Sequence, residues 1–110
     1  MDAEALMRSR YSAYALSMVS YLLRSWDEST RPALREADFD PATRWLGLRI
    51  VAHEVDPEDA AAATVEFIAR YRIGGGSAQR LHERSRFRRV DGYWRYVDGE
   101  MLEPNQDVRR

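Results

Sequence analysis

The chain has 110 residues, enough for one domain but not two. Its 45% apolar and 11% aromatic content is that of a globular protein, and its formal net charge is −1. All 17 basic residues are Arg and Cys is absent, which excludes disulfides, thiolate zinc sites, Cys nucleophiles and Schiff-base lysines.

Only His53 and His82 remain as imidazole donors, so a His-rich metal site is excluded as well. No metal and no cofactor is expected. The N-terminus opens on Asp2 and Glu4, without the basic start of a signal peptide. The apolar stretch over residues 13–23 is interrupted by Ser17 and Ser20 and is too short to span a bilayer. The expectation is a cytoplasmic protein with no membrane contact.

Residues 1–26 predict one long helix. Asp2 can cap it and Glu4 suits the positive end of its dipole. Ala3, Met7, Tyr11, Tyr14, Met18 and Leu22 recur at intervals of three and four, forming one apolar stripe. Residues 27–44 are turn-rich and acidic. Ser29 or Thr30 before Pro32, and Asp40 before Pro41, predict two short helices there.

From Trp45 onward the hydrophobic period falls to two. Leu46, Leu48 and Ile50 alternate along a first strand, and Asp56, Pro57 and Asp59 mark a loop. Val65, Phe67, Ala69 and Tyr71 alternate along a second strand, which ends at the turn Gly74-Gly75-Gly76. That glycine run precedes a strand and lacks a GK[ST] ending, so it is a hairpin and not a phosphate loop. Leu81, Glu83, Ser85 and Phe87 alternate with His82, Arg84, Arg86 and Arg88 along a third. Asp91-Gly92 is a two-residue hairpin signal that leads into a last strand over 93–97. Helices followed by hairpins predict an α+β domain, with an antiparallel sheet packed on the long helix. Residues 1–102 form this domain, and 103–110 form a polar tail expected to fray.

Charge is segregated. Residues 64–96 carry eight Arg against three acids, and residues 27–63 carry four Arg against nine acids. Arg70, Arg72, Arg80, Arg84, Arg86 and Arg88 share the outward parity of two neighbouring strands. They form either a solvated face paired across strands or a basic face for phosphate or nucleic acid. The acidic pI of about 6.1 speaks against a dedicated nucleic-acid binder.

The inward parity is more informative. Glu83 and Ser85 lie between Leu81 and Phe87, on the face that should be core. A buried carboxylate needs a partner, and Arg10, Tyr11 and Tyr14 on the first helix are the candidates. One reading is a pocket in which Glu83 is acid or base and Tyr14 orients the substrate. The other is a satisfied polar tie between helix and sheet. His82 points away from Glu83 in a regular strand, so the two form no dyad.

Several stretches together resemble one family. They are EALMRSRYSAY over 4–14, YLLRSW over 21–26, WLGL over 45–48, VEFIARY over 65–71, LHERSRF over 81–87 and YWRYVDG over 93–99. In this order they resemble the YchJ-like family of small bacterial proteins. The resemblance implies a fold similar to nuclear transport factor 2, in which a bent antiparallel sheet wraps as a cone over a long N-terminal helix and shorter helices. It also implies that Arg8, Arg10, Tyr11, Tyr14, Glu83, Ser85 and Asp98 gather near the mouth or interior of the cone. Members commonly carry a Cys-rich SEC-C zinc motif beside this domain, and a Cys-free chain departs from them there. The family is uncharacterised, and the fold alone chooses no activity.

The expected function is a small-molecule or partner-binding module with a cavity between sheet and helices, and a homodimer through the outer sheet face. The expected ligand-binding residues are Arg10, Tyr11, Tyr14, Trp26, Tyr71, Glu83, Ser85 and Trp94. The alternatives are a small lyase, isomerase or hydrolase with Glu83 and Tyr14 as catalytic residues, and weak nucleic-acid binding through the Arg face.

Overall fold

Asp2 starts the first helix as the sequence predicts, its carboxylate accepting the Ala5 N–H at 2.7 Å. In the computed structural model, which describes residues 1–102, this helix (α1) spans Ala3–Ala15. It does not continue to Trp26. Ser17 turns into the left-handed region at φ 56°. The Met18 N–H then donates to the Ala13 carbonyl at 2.8 Å and the Ser17 N–H to Tyr14 at 3.3 Å. This is the double hydrogen bond of a Schellman cap, with Ser in the place usually held by Gly. A separate short helix, α2, follows over Val19–Arg24. The predicted single long helix is thus two helices with a break.

The acidic segment also departs from expectation. Instead of two short helices it holds one three-residue 3-10 turn, Glu36–Asp38. Only Leu34 and Phe39 in residues 31–40 are even partly buried, so a helix there would have no apolar stripe to pack. Asp40 caps a turn instead, accepting the Ala42 N–H at 2.9 Å, and the chain enters the sheet.

Four strands follow: β1 Thr43–Asp56, β2 Asp59–Ile73, β3 Gln79–Val90 and β4 Tyr93–Met101. They pair antiparallel in the order β1-β2-β3-β4. The Asp91-Gly92 turn has both residues at positive φ, 53° and 85°, as the twist-matched two-residue hairpin requires. Register shifts interrupt β1 at three points and the β3–β4 pair at one, between Arg86 and Phe87. Such bulges bend a sheet.

The inner sheet face packs on α1. Val65, Phe67, Ala69 and Phe87 meet Ala3, Leu6 and Met7 in one core cluster. Burying each of the larger apolar side chains contributes about 1.5–3 kcal/mol. The free edge of β4 is covered by the segment after α2. Tyr96 donates its N–H to Ser25 at 2.8 Å and accepts from Asp27 at 2.7 Å. Among the described residues no helix is long and apolar enough to cross a membrane. The tail expected at 103–110 lies outside the described residues.

Candidate functional site

Strand parity puts Leu81, Glu83, Ser85 and Phe87 on the inner face, as the alternation predicts; Ser85 and Phe87 are fully buried. Above them, one face of α1 supplies Met7, Arg10, Tyr11 and Tyr14. Trp45 and Tyr96 close the sides. These residues line a cavity of about 250 Å³. Its wall is mainly apolar, and its polar groups converge around Glu83.

Glu83 holds that position through β3 and β4 rather than through the helix. The Ser85 hydroxyl donates to Glu83 Oε2 at 2.7 Å, and the Tyr96 hydroxyl donates to the same oxygen at 3.2 Å. Hydrogen bonds to a carboxylate are charge-assisted and stronger than neutral ones. Among the described residues Glu83 Oε1 accepts no hydrogen bond and no Arg lies within salt-bridge distance. Gly99 stands across from Ser85, and a Cβ there would overlap the Glu83 carboxylate. The missing side chain is what allows the acid to lie down on β4.

Arg10 is not the partner of Glu83. It is 2% exposed, yet its Nη1 donates to the Leu22 carbonyl at 3.0 Å and to Ser25 Oγ at 2.6 Å. Its guanidinium lies between two rings, 4.7 Å from the centroid of Trp26 and 4.4 Å from that of Tyr96. The cation is compensated by the carbonyl end of α2, a hydroxyl and two π-faces instead of a carboxylate. Arg10 thereby ties α1 to α2 and β4 while one of its surfaces still borders the cavity.

The tyrosines are held protonated at neutral pH. Burial pushes the Tyr14 hydroxyl above its ordinary value; Arg10 opposes the shift and Glu83 adds to it. Burial, and then the charge of Glu83, push Tyr96 up further. The site therefore presents a carboxylate fixed through one oxygen, beside neutral phenols, at the end of an apolar hollow.

Of the residues expected from sequence, Arg10, Tyr11, Tyr14, Glu83 and Ser85 come together in this cavity. Trp26, Tyr71 and Trp94 do not line it. Trp26 stands behind Arg10, edge-on to Tyr96 at 5.0 Å. Tyr71 packs on the far side of Trp45 at 5.4 Å and donates to Gln79. Trp94 lies under Arg89, beside a different surface groove. Nor do Arg8 and Asp98 gather inside. Arg8 pairs with Glu4 along the exposed side of α1, and Asp98 pairs with Arg86 on the outer sheet face.

Besides apolar wall residues such as Met7, Phe67 and Leu81, the lining includes Trp45 and Tyr96, and Tyr96 is the polar residue that the expected set lacks. Simple alternation puts Tyr96 and Asp98 on one face. The register shift between Arg86 and Phe87 pairs Asp98 with outward Arg86 but Tyr96 with inward Phe87. Gly99 was the available signal, since a glycine within a strand marks a bulge or a close approach. No group of three or more candidate metal ligands occurs among the described residues.

Residues 2–99 match the family described as "YchJ, middle NTF2-like domain". A UPF0225 protein of Xanthomonas campestris pv. campestris (strain 8004) is 55% identical over 97 residues, covering 88% of this chain and 74% of the relative. A UPF0225 protein of Polaromonas naphthalenivorans (strain CJ2) is 56% identical over 101 residues, covering 92% and 71%. The solution structure of RPA3114, a SEC-C motif containing protein from Rhodopseudomonas palustris, superposes with a TM-score of 0.80 at 38% identity. The match covers 92% of this chain and 79% of that one. The helix-then-meander order, the inward Glu83 row and these matches agree, and the chain belongs to the YchJ family, with residues 2–99 as its middle domain related to nuclear transport factor 2.

Proposed function

We propose that this domain binds a small, largely apolar molecule in the cavity between α1 and the sheet, and that the ligand donates a hydrogen bond to Glu83 Oε1. The observation that carries this reading is the asymmetry of that carboxylate. Ser85 and Tyr96 occupy and orient Oε2, whereas Oε1 has no partner among the described residues. A half-satisfied acid in an apolar hollow favours a ligand with one hydroxyl or amine donor. The volume of about 250 Å³ lies just below the usual range for ligand pockets, so the ligand is compact.

The same geometry suits proton transfer. A carboxylate oriented by two donors, next to the neutral hydroxyl of Tyr14, can act as a general base and so serve a lyase, isomerase or hydrolase. Binding comes first in either case. The test is an NMR titration of the protein with a panel of small phenols, aliphatic alcohols and amines. Shifts are expected at Tyr14, Glu83 and Tyr96, and an Ala69→Leu variant that fills the cavity should abolish them while keeping a folded spectrum. If no compound moves these resonances at millimolar concentration, or the filled variant responds equally, the reading fails.

A further inference from the structure

The outer face of the sheet divides into two halves of unlike charge. In one half the arginines of β3 are neutralised. Arg84 reaches Glu66 at 3.8 Å and Glu100 at 3.3 Å, Arg86 grips Asp98 through two bonds of 2.7 Å, and Arg88 reaches Asp59 at 3.7 Å. His82 closes the row on Glu66 at 2.7 Å.

Towards the Gly74-Gly75-Gly76 turn the pairing stops. Arg70 stands directly across from Arg80, and Arg44 directly across from Arg72. Among the described residues none of these four, nor Arg49, has a carboxylate within 4.0 Å. All five are exposed. Like charges directly opposite each other weaken an antiparallel pair. Two such pairs side by side are a local electrostatic cost that an arriving polyanion would relieve. Arg49, Arg70 and Arg80 border one groove of about 350 Å³ floored by Gly47 and Ile68. Open space lies over Gly47, so the groove is low between the guanidinium groups.

We propose that this groove binds the phosphodiester backbone of a nucleic acid. The guanidinium fork matches phosphate oxygens in pairs, and repeated phosphates can satisfy several forks at once. Arg residues two apart on a strand are separated by about 7 Å, and cross-strand neighbours by about 5 Å, which presents a grid rather than a single anion hole. The aromatic residues of β1 and β2 nearest this patch, Trp45 and Tyr71, pack against each other on the inner face, so no ring is offered for base stacking. Contact is therefore to the backbone and independent of sequence. A second copy docking by the same face would set Arg against Arg. An acidic peptide would find little apolar surface on the floor of the groove, where Ile68 is covered by its own neighbours to a relative exposure of 9%.

The test is fluorescence anisotropy of a labelled oligothymidylate of about 20 nucleotides with the full chain at low salt. Binding is expected, with a log–log salt slope of about −2 for three phosphate contacts at −0.7 each. Arg70→Ala/Arg80→Ala should weaken binding about tenfold or more and flatten the slope by about 1.4. Arg86→Ala, on the neutralised half, should leave it within about twofold, and circular dichroism checks that each variant is folded. No binding at low salt overturns the proposal, as does an equal loss from Arg86→Ala. Displacement of the oligonucleotide by poly-glutamate at equal charge concentration also overturns it, and assigns the groove to acidic protein instead.

Discussion

The carboxylate of Glu83 occupies the space that a side chain at Gly99 would fill. The two residues are on neighbouring strands, with Gly99 registered against Ser85, the donor that holds the same carboxylate. Site and backbone are thus shaped together, and they can be uncoupled. Gly99→Ala should destabilise the domain by about 1–3 kcal/mol through overpacking. Glu83→Ala leaves room for the new methyl group, so the double variant should cost less than the sum of the singles by about 0.5–3 kcal/mol. Urea denaturation of the four proteins measures this coupling, and strict additivity would contradict the packing relationship.

Arg10 predicts a different kind of loss. Replacing it with Met keeps much of the volume but removes the cation from between Trp26 and Tyr96 and the guanidinium donor from the Leu22 carbonyl and the Ser25 hydroxyl, leaving there only the bonds that the Ser25 hydroxyl itself donates to Tyr21 and Leu22. The expected cost is about 2–4 kcal/mol, from the lost cation–π contacts and the two lost hydrogen bonds from the guanidinium. Arg10→Lys keeps the charge without the planar fork and should recover only part of it. Chemical denaturation gives the ranking. A Lys variant as stable as wild type would show that charge alone suffices.

How much of this was legible in the sequence depends on how local each cause is. The inward placement of Glu83 and Ser85 follows from alternation along β3, because a one-residue slip would bury Arg84 and Arg86 instead. The Asp91-Gly92 hairpin follows from two residues that tolerate positive φ. The donors to Glu83 were harder to see. Tyr96 reaches the inner face only through a register shift that no two-residue period can show. The partners of Arg10 lie 12 and 15 residues downstream, on the far side of a helix break. That break has no glycine or proline to announce it, so the apolar stripe reads straight through Ser17.

Ser17 makes the break testable. An L-residue in the left-handed region is strained by about 1–2 kcal/mol, whereas Gly sits there freely but has more unfolded-state entropy to lose. Ser17→Gly should therefore stabilise the domain by about 0.5 kcal/mol. Ser20→Gly, three residues on and inside α2, should destabilise it by about 0.5–1 kcal/mol. Opposite signs for one chemical change, read as shifts in urea midpoint, identify the left-handed cap. A loss at both positions would mean that residue 17 is helical.

The outer face should make stability depend on acid. Hydrogen bonding from Arg86, together with its charge, holds the Asp98 carboxyl below the ordinary carboxylate value. A group with a depressed folded value contributes its stabilisation in full above its unfolded value, near 3.9, and loses it as pH falls through the lower folded value. The difference in unfolding free energy between wild type and Asp98→Asn should accordingly be present at neutral pH and shrink as the solution is acidified below about pH 4. The pair is exposed, so the difference is modest and should also fall with added salt. Urea titrations of both proteins across this range measure it. A gap that stays constant down to the acid limit would show that Asp98 stabilises β4 without its charge, through shape or hydrogen bonding that Asn reproduces at every pH.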